Sequence, residues 1–322
     1  MPTRRALLCG FAAAVPVAAA AQSPFAFSGP VTIVVPFPPG GSSDLMARLV
    51  AERMAPALGR GVIVENRAGA GGRIAARAVQ AAPADGSRLL LANTSVMVLT
   101  PLAFADAGYD PIGGFAPVAG AAEFAAGMAT GPMTGARDLA GLTAWLRANP
   151  ERANAGVPAF GSIPHLTAIA YGRAIGVPLT AALYRGGAPI AQDLVAGQIP
   201  VGLDAAADFA GQHQGGQLRL VAVTGTRRAP GLPNVQTFAE AGLSGFEANA
   251  WSGYFAPAGT PAPVIAALNA AIVAALREGE VVRRLEQAAL IATPADPQTL
   301  AAWITRDRAT FAPLIAAAGP MP

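Results

Sequence analysis

The stretch VTIVVPFPPGGSSDLMARLVAERM, residues 31–54, constrains this chain most. Its run from Val31 to Pro36 is almost wholly apolar and β-branched, the pattern of a strand buried on both faces of a parallel sheet. Gly40 and Gly41 then supply the turn, and Ser42, Ser43 and Asp44 are residue types that cap a helix. The spacing of Leu45, Leu49, Arg53 and Met54 predicts a helix from Asp44 to Leu58, with Gly59 as its stop. The unit then repeats. GVIVEN (61–66) reads as a strand, RAGAGG (67–72) as a glycine turn and RIAARAVQAA (73–82) as a helix, while SRLLLAN (87–93) is a third strand running out at Thr94 and Ser95. Alternating strands and helices make a sheet with right-handed crossovers that collects ligands beyond the carboxyl ends of its strands. Phe37, Asn66 and Asn93 are therefore expected on one side.

Beyond YDPIGGFAPVAG a Gly/Ala/Met-rich stretch reads as a strand crossing into a second lobe. There, a helix is expected within 136–150, then strand, turn and helix through RANAGVPAFGSIPHLTAIAYGRAIG, which places Gly161 and Ser162 at a helix start. Residues 177–204 give strand, turn, helix and a strand ending at Asp204, and QLRLVAVTG one strand more, with His213 in a polar loop between them. FEANAWSGYFAPAGTP reads as the return crossing, followed by helices at 263–276, 281–289 and 297–318. The expected fold is α/β, two lobes, each a mostly parallel sheet flanked by helices and joined by strand crossovers. A chain of 322 residues suits two cores better than one.

The first 21 residues, MPTRRALLCGFAAAVPVAAAA, have the charged start, apolar run and small-residue end of a secretory signal peptide, with cleavage expected after Ala21. TRRALL also fits a twin-arginine export signal, with Leu7 where that motif favours phenylalanine. Cleavage removes Cys9, the sole cysteine, and leaves 20 basic against 19 acidic residues, a net charge of +1. A mature chain without cysteine has no disulfide, thiol nucleophile or thiolate metal site. With no basic tract, nucleic-acid binding is not expected.

What the opening turn holds is the functional question. The first turn of a helix leaves backbone N–H groups unpaired at its positive end, a ready seat for an anion. PFPPGGSSD matches neither nucleotide-binding glycine pattern, and the chain contains no lysine, so phosphate cradling of that kind is not expected. A serine hydrolase using Ser162 and a histidine is the enzyme alternative, but FGSIP lacks the GxSxG elbow. The two histidines, His165 and His213, belong to no cluster with metal-ligand spacing, so neither metal nor cofactor is expected. Asp204 at a strand end is either solvated or turned into the cleft to receive an amino group, a hydroxyl or a proton. Tyr184 and Trp251 are candidates for apolar ligand contact or for core, and Arg67 reads as a surface cation.

VTIVVPFPPGGSSD, VIVENRAGAGG, APADG, YDPIGGFAPV, GSIPHL, YRGGAP, VQTFAEAG and WSGYFAPAGTP, in this order, resemble the Bug family of periplasmic solute-binding proteins, related to the receptors of tripartite tricarboxylate transporters. The resemblance spans essentially the whole mature chain. It implies a monomeric periplasmic protein with the two-lobed, type II-like periplasmic binding protein fold closing over a small carboxylated solute, with permease subunits of a tripartite transporter as partners, or a ligand sensor without one. It implies lobe boundaries of 22–122 with 245–322 for the carboxylate-anchoring lobe and 123–244 for the closing lobe. The matching first-lobe positions are Phe37, Pro39, Gly40, Gly41, Ser42 and Asp44, then Ala70 and Gly71, with Thr94 and Ser95 at the third strand end. In the second lobe they are Ser162, His165, Tyr184 and Asp204. Three departures fall in the second lobe: Pro164 where a hydroxylated residue is common, Arg185 for a lysine and Pro200 for an acid.

Overall fold

The computed structural model describes residues 29–318; the expected signal peptide, 1–21, lies outside the described residues. The chain runs β1 (Val31–Val35), α1 (Ser42–Leu58), β2 (Val62–Asn66), α2 (Arg73–Gln80), β3 (Arg88–Asn93), α3 (Thr100–Ala103), β4 (Phe115–Phe124) and β5 (Ala126–Thr130). It continues through α4 (Leu139–Ala148), β6 (Asn154–Val157), α5 (Ile163–Ile175), β7 (Thr180–Leu183), α6 (Gly187–Val195), β8 (Val201–Ala205), α7 (Ala206–Gln214) and β9 (Arg219–Val223). β10 (Ala250–Pro257), α8 (Ala262–Arg277), α9 (Gly279–Gln287), β11 (Leu290–Ala295) and α10 (Pro297–Ala318) complete it.

Two sheets result, ordered β11-β4-β10-β3-β1-β2 and β7-β6-β8-β5-β9. The apolar run of β1 is explained by helices on both of its faces. Val31, Ile33 and Val35 pack with Met46, Leu49, Val50 and Met54 of α1 and with Leu268 and Ile272 of α8. Val34 points the other way, into a cluster with Ala75, Ala76 and Val79 of α2 and Leu300 and Ile304 of α10. Parallel pairing joins β1 to β2 and β3, and β6 to β7 and β8. The strands that pass between the lobes, β4, β5, β9 and β10, pair antiparallel. Both sheets are thus mixed, about half parallel rather than mostly so, because the crossing strands re-enter each sheet in the opposite direction.

Three further differences from expectation have local causes. α1 begins at Ser42, two residues early, with Gly41 as its N-cap, so Ser42, Ser43 and Asp44 lie inside it. His213 sits in the last turn of α7, not in a loop, and β11 is an extra edge strand on β4. AAADFAGQHQ carries Gly211 and three polar residues in its final five positions, which hides its helical period. Central β10 is buried along its whole length. There the Tyr254 hydroxyl is buried without a hydrogen-bond partner among the described residues. Tyr254→Phe is expected to leave stability unchanged or raise it by about 1 kcal/mol in chemical denaturation; a loss of that size would show that the hydroxyl is satisfied in solution.

Candidate functional site

The carboxyl ends of β1 and β3 face the second lobe across a cleft that holds two adjoining small cavities, of about 30 Å³ each. Both are lined by Phe37, Asn93, Phe124, Asp204 and Ala205. At one end stand Gly41, Ser42 and Asp208, at the other Gly71, Ser95 and Ser162. Cavities of this size hold a water or two, so a solute enters when the lobes part. Among the described residues, no arginine, lysine or histidine lines either cavity.

The two lobes meet at this cleft. The first N–H of α1, on Ser42, donates to Asp208 Oδ1 at 2.7 Å, a contact spanning 166 residues. The anion seat at the opening turn therefore holds a carboxylate, and it is the protein's own. Gly186 of the second lobe lies so near the first that an added Cβ would stand 3.2 Å from Pro38 Cδ, and one on Gly71 would stand 3.0 Å from Ala159 Cβ. Gly71 has φ 64°, in the left-handed region, whereas Gly41 has φ −83°, open to any residue. The positive φ of the first turn belongs to Gly40.

Burial, together with the neighbouring Asp208 charge, pushes the Asp204 carboxyl well above the usual carboxylate range, although the Ala205 N–H opposes this. Asp208 is raised by burial too, against bonds from the Ser42 N–H and hydroxyl. Charges facing one another in a water-poor cleft disfavour double ionisation.

Other expected site residues occupy supporting positions. Burial works to raise Asp44, but bonds from Arg48, Gly40 and Asn66 outweigh it and hold the carboxyl low. The Gly40 N–H donates to Asp44 at 3.0 Å and Arg48 donates at 2.9 Å, which braces the turn from behind. Pro39, Gly40, Asp44, Ala70, Thr94, His165 and Tyr184 are absent from the lining of both cavities. Thr94 clamps β10, accepting the Trp251 N–H at 2.9 Å, and Trp251 is hinge core whose Nε1 donates to Asp307 at 2.6 Å. Tyr184 donates to Asp193 at 2.6 Å, and burial with Asp193 pushes its hydroxyl pKa up to about 12.

Ser162 caps α5: its Oγ accepts the His165 N–H at 3.3 Å and donates to the Ala159 carbonyl at 2.7 Å. His165 Nδ1 accepts the Gly161 N–H at 3.0 Å, and burial lowers the ring's pKa. The hydroxyl-to-histidine hydrogen bond that would activate a serine nucleophile is not made at Ser162. Ser162→Ala is expected to cost about 1 kcal/mol of stability through the lost cap, read by thermal denaturation without ligand. By contrast, the Ser95 hydroxyl lines the cavity without a hydrogen bond among the described residues. Asn93 Oδ1 accepts the Val96 N–H at 3.1 Å, which leaves its amide NH₂ as the donor.

Residues 46–319 match the family described as tripartite tricarboxylate transporter family receptor. The chain belongs to this family. It is 36% identical to a Pseudomonas sp. (strain P51) UPF0065 protein in the tcbD-tcbE intergenic region, over 92% of this chain and 89% of that one. The solved structure of periplasmic binding protein BugD superposes with a TM-score of 0.87 at 31% identity, covering 92% of this chain and 99% of that one. R. palustris Rpa4515 with adipate gives the same TM-score, identity and coverage. The receptor's fold is accordingly the two-lobed one of periplasmic binding proteins.

Proposed function

We propose that this receptor captures a small carboxylated solute in its interlobe cleft and delivers it to the permease of a tripartite tricarboxylate transporter. The observation that carries the reading is the cleft itself: a polar lining on the strand-end side of two lobes, with hydroxyl and amide donors but no side-chain cation. Ser95, the Asn93 amide and the backbone at Gly71 hold one solute carboxylate, at the end of the cleft away from Asp208. Phe37 and Phe124 cover its apolar portion. The relative solved with adipate supports the solute class. The anchoring lobe comprises 22–122 with 245–322 and the closing lobe 123–244, so the hinge runs through Ala125 and the segment before β10. The protein acts as a monomer in the periplasm, reached through the signal peptide at 1–21, and N-terminal sequencing of the exported form is expected to begin at Gln22.

A thermal-shift screen of aliphatic, aromatic and amino carboxylates tests the reading. A ligand that binds only the folded state, at about a hundred times its Kd, adds roughly 2.7 kcal/mol of stability. A panel in which no carboxylate raises the transition would count against it.

A further inference from the structure

The charges lining the cleft do not balance for a carboxylate alone. The two cavities carry two aspartates, Asp204 and Asp208, and no basic side chain. Asp204 Oδ1 accepts the Ala205 N–H at 2.8 Å, while its Oδ2 has no partner among the described residues. Asp208 already occupies the N-terminus of the 17-residue helix α1, taking the Ser42 N–H at 2.7 Å. That N–H and the α1 dipole attract an anion at this end, as does the start of α6, where Gly187 and Ala188 line the same cavity and a Cβ added to Gly187 would stand 2.9 Å from Asp208 Oδ2. A second solute carboxylate would compete with Asp208 for them while facing two aspartates, and like charges juxtaposed at an interface cost several kcal/mol.

A proton-bearing cation meets the opposite situation. An ammonium donates three hydrogen bonds and accepts none, which suits two carboxylates with oxygens to spare. It also relieves the repulsion between them. We propose that the solute is an amino carboxylate, its protonated amine seated between Asp204 and Asp208 and its carboxylate at Ser95 and Gly71, and that Asp208 is the residue that rejects a second carboxylate.

This rests on the carboxylate-capture reading and narrows it. The sequence offers Asp204 to an amine from its strand end, whereas Asp208 reaches the cleft only through α7.

Calorimetry on length-matched pairs is the test: succinate with 4-aminobutanoate, glutarate with 5-aminopentanoate, adipate with 6-aminohexanoate, and butanoate as the simple acid. The wild-type protein is expected to bind the best amino carboxylate about a hundredfold more tightly than the diacid of the same length. In Asp208→Asn, which keeps an oxygen for the Ser42 N–H, and in Asp208→Ser, whose shorter side chain releases it, that ratio is expected to shrink to about tenfold or less. Circular dichroism confirms that each variant is folded. A diacid bound as tightly as its amino partner, or a ratio unchanged in both variants, overturns the proposal. Binding of butanoate alone also overturns it and leaves carboxylate capture standing, whereas heat from none of the seven compounds removes both.

Discussion

Gly71→Val is expected to abolish solute binding while leaving a folded protein. Its φ of 64° lies where a β-branched side chain is disfavoured, so the turn before α2 is strained. The new Cβ would stand 3.0 Å from Ala159 Cβ, and the methyls would enter the cavity beside Ser95 and Ser162. Gly40→Ala separates strain from closure. Gly40 has φ 87° but nothing within 4 Å of an added Cβ, and it does not line either cavity. Both variants should lose about 1 kcal/mol or more of stability, yet only Gly71→Val should lose affinity, by about a hundredfold or more in calorimetry. Equal affinity losses in the two would place Gly71 outside the site. Gly41→Val is expected to weaken binding by bulk alone, because its added Cβ meets Asp208 Oδ1 at 3.2 Å and its backbone already suits any residue.

The second large effect concerns Asp204. Its carboxyl is raised by burial and by Asp208, so between the unfolded pKa and the higher folded value the native state holds more protons than the unfolded chain. Its contribution to stability is therefore present at low pH and lost as pH rises through the folded value. Asp44, Glu65 and Asp110 are shifted the opposite way and oppose this trend in the whole protein. The informative quantity is thus the difference between wild type and Asp204→Asn. At about pH 8 the variant is expected to be more stable, on the order of 1–3 kcal/mol, because a half-buried carboxylate with no cation beside it is gone. Toward about pH 4 the advantage should fade as Asp204 takes up its proton. A difference that stays flat across this range would mean that Asp204 is solvated.

The first lobe is legible in the sequence because β1, β2 and β3 are short apolar runs separated by glycine turns, which puts the strand ends at Phe37, Asn66 and Asn93 on one side. Asn66 indeed donates its side-chain NH₂ to the Phe37 carbonyl at 3.1 Å. The helix α7 was not legible, since Gly211 and its polar tail interrupt the apolar period, and with it went Asp208. No local rule predicts that contact: Ser42 and Asp208 are 166 residues apart, and the cap of α1 comes from the other lobe rather than from Ser42, Ser43 or Asp44. Ser162 was read as a cleft residue and lines the cavity, but its hydroxyl is already engaged as a helix cap. Tyr184 matches the cleft-lining pattern of the family, but its hydroxyl is engaged by Asp193 of α6 and it lines neither cavity.

The most direct test is a crystal structure of the exported protein with the strongest stabiliser from the carboxylate panel. The account predicts the solute carboxylate within hydrogen-bond distance of the Ser95 hydroxyl and the backbone at Gly71, with Asp208 still on the Ser42 N–H. A carboxylate that displaces Asp208 from the start of α1, or one bound outside the interlobe cleft, would contradict it.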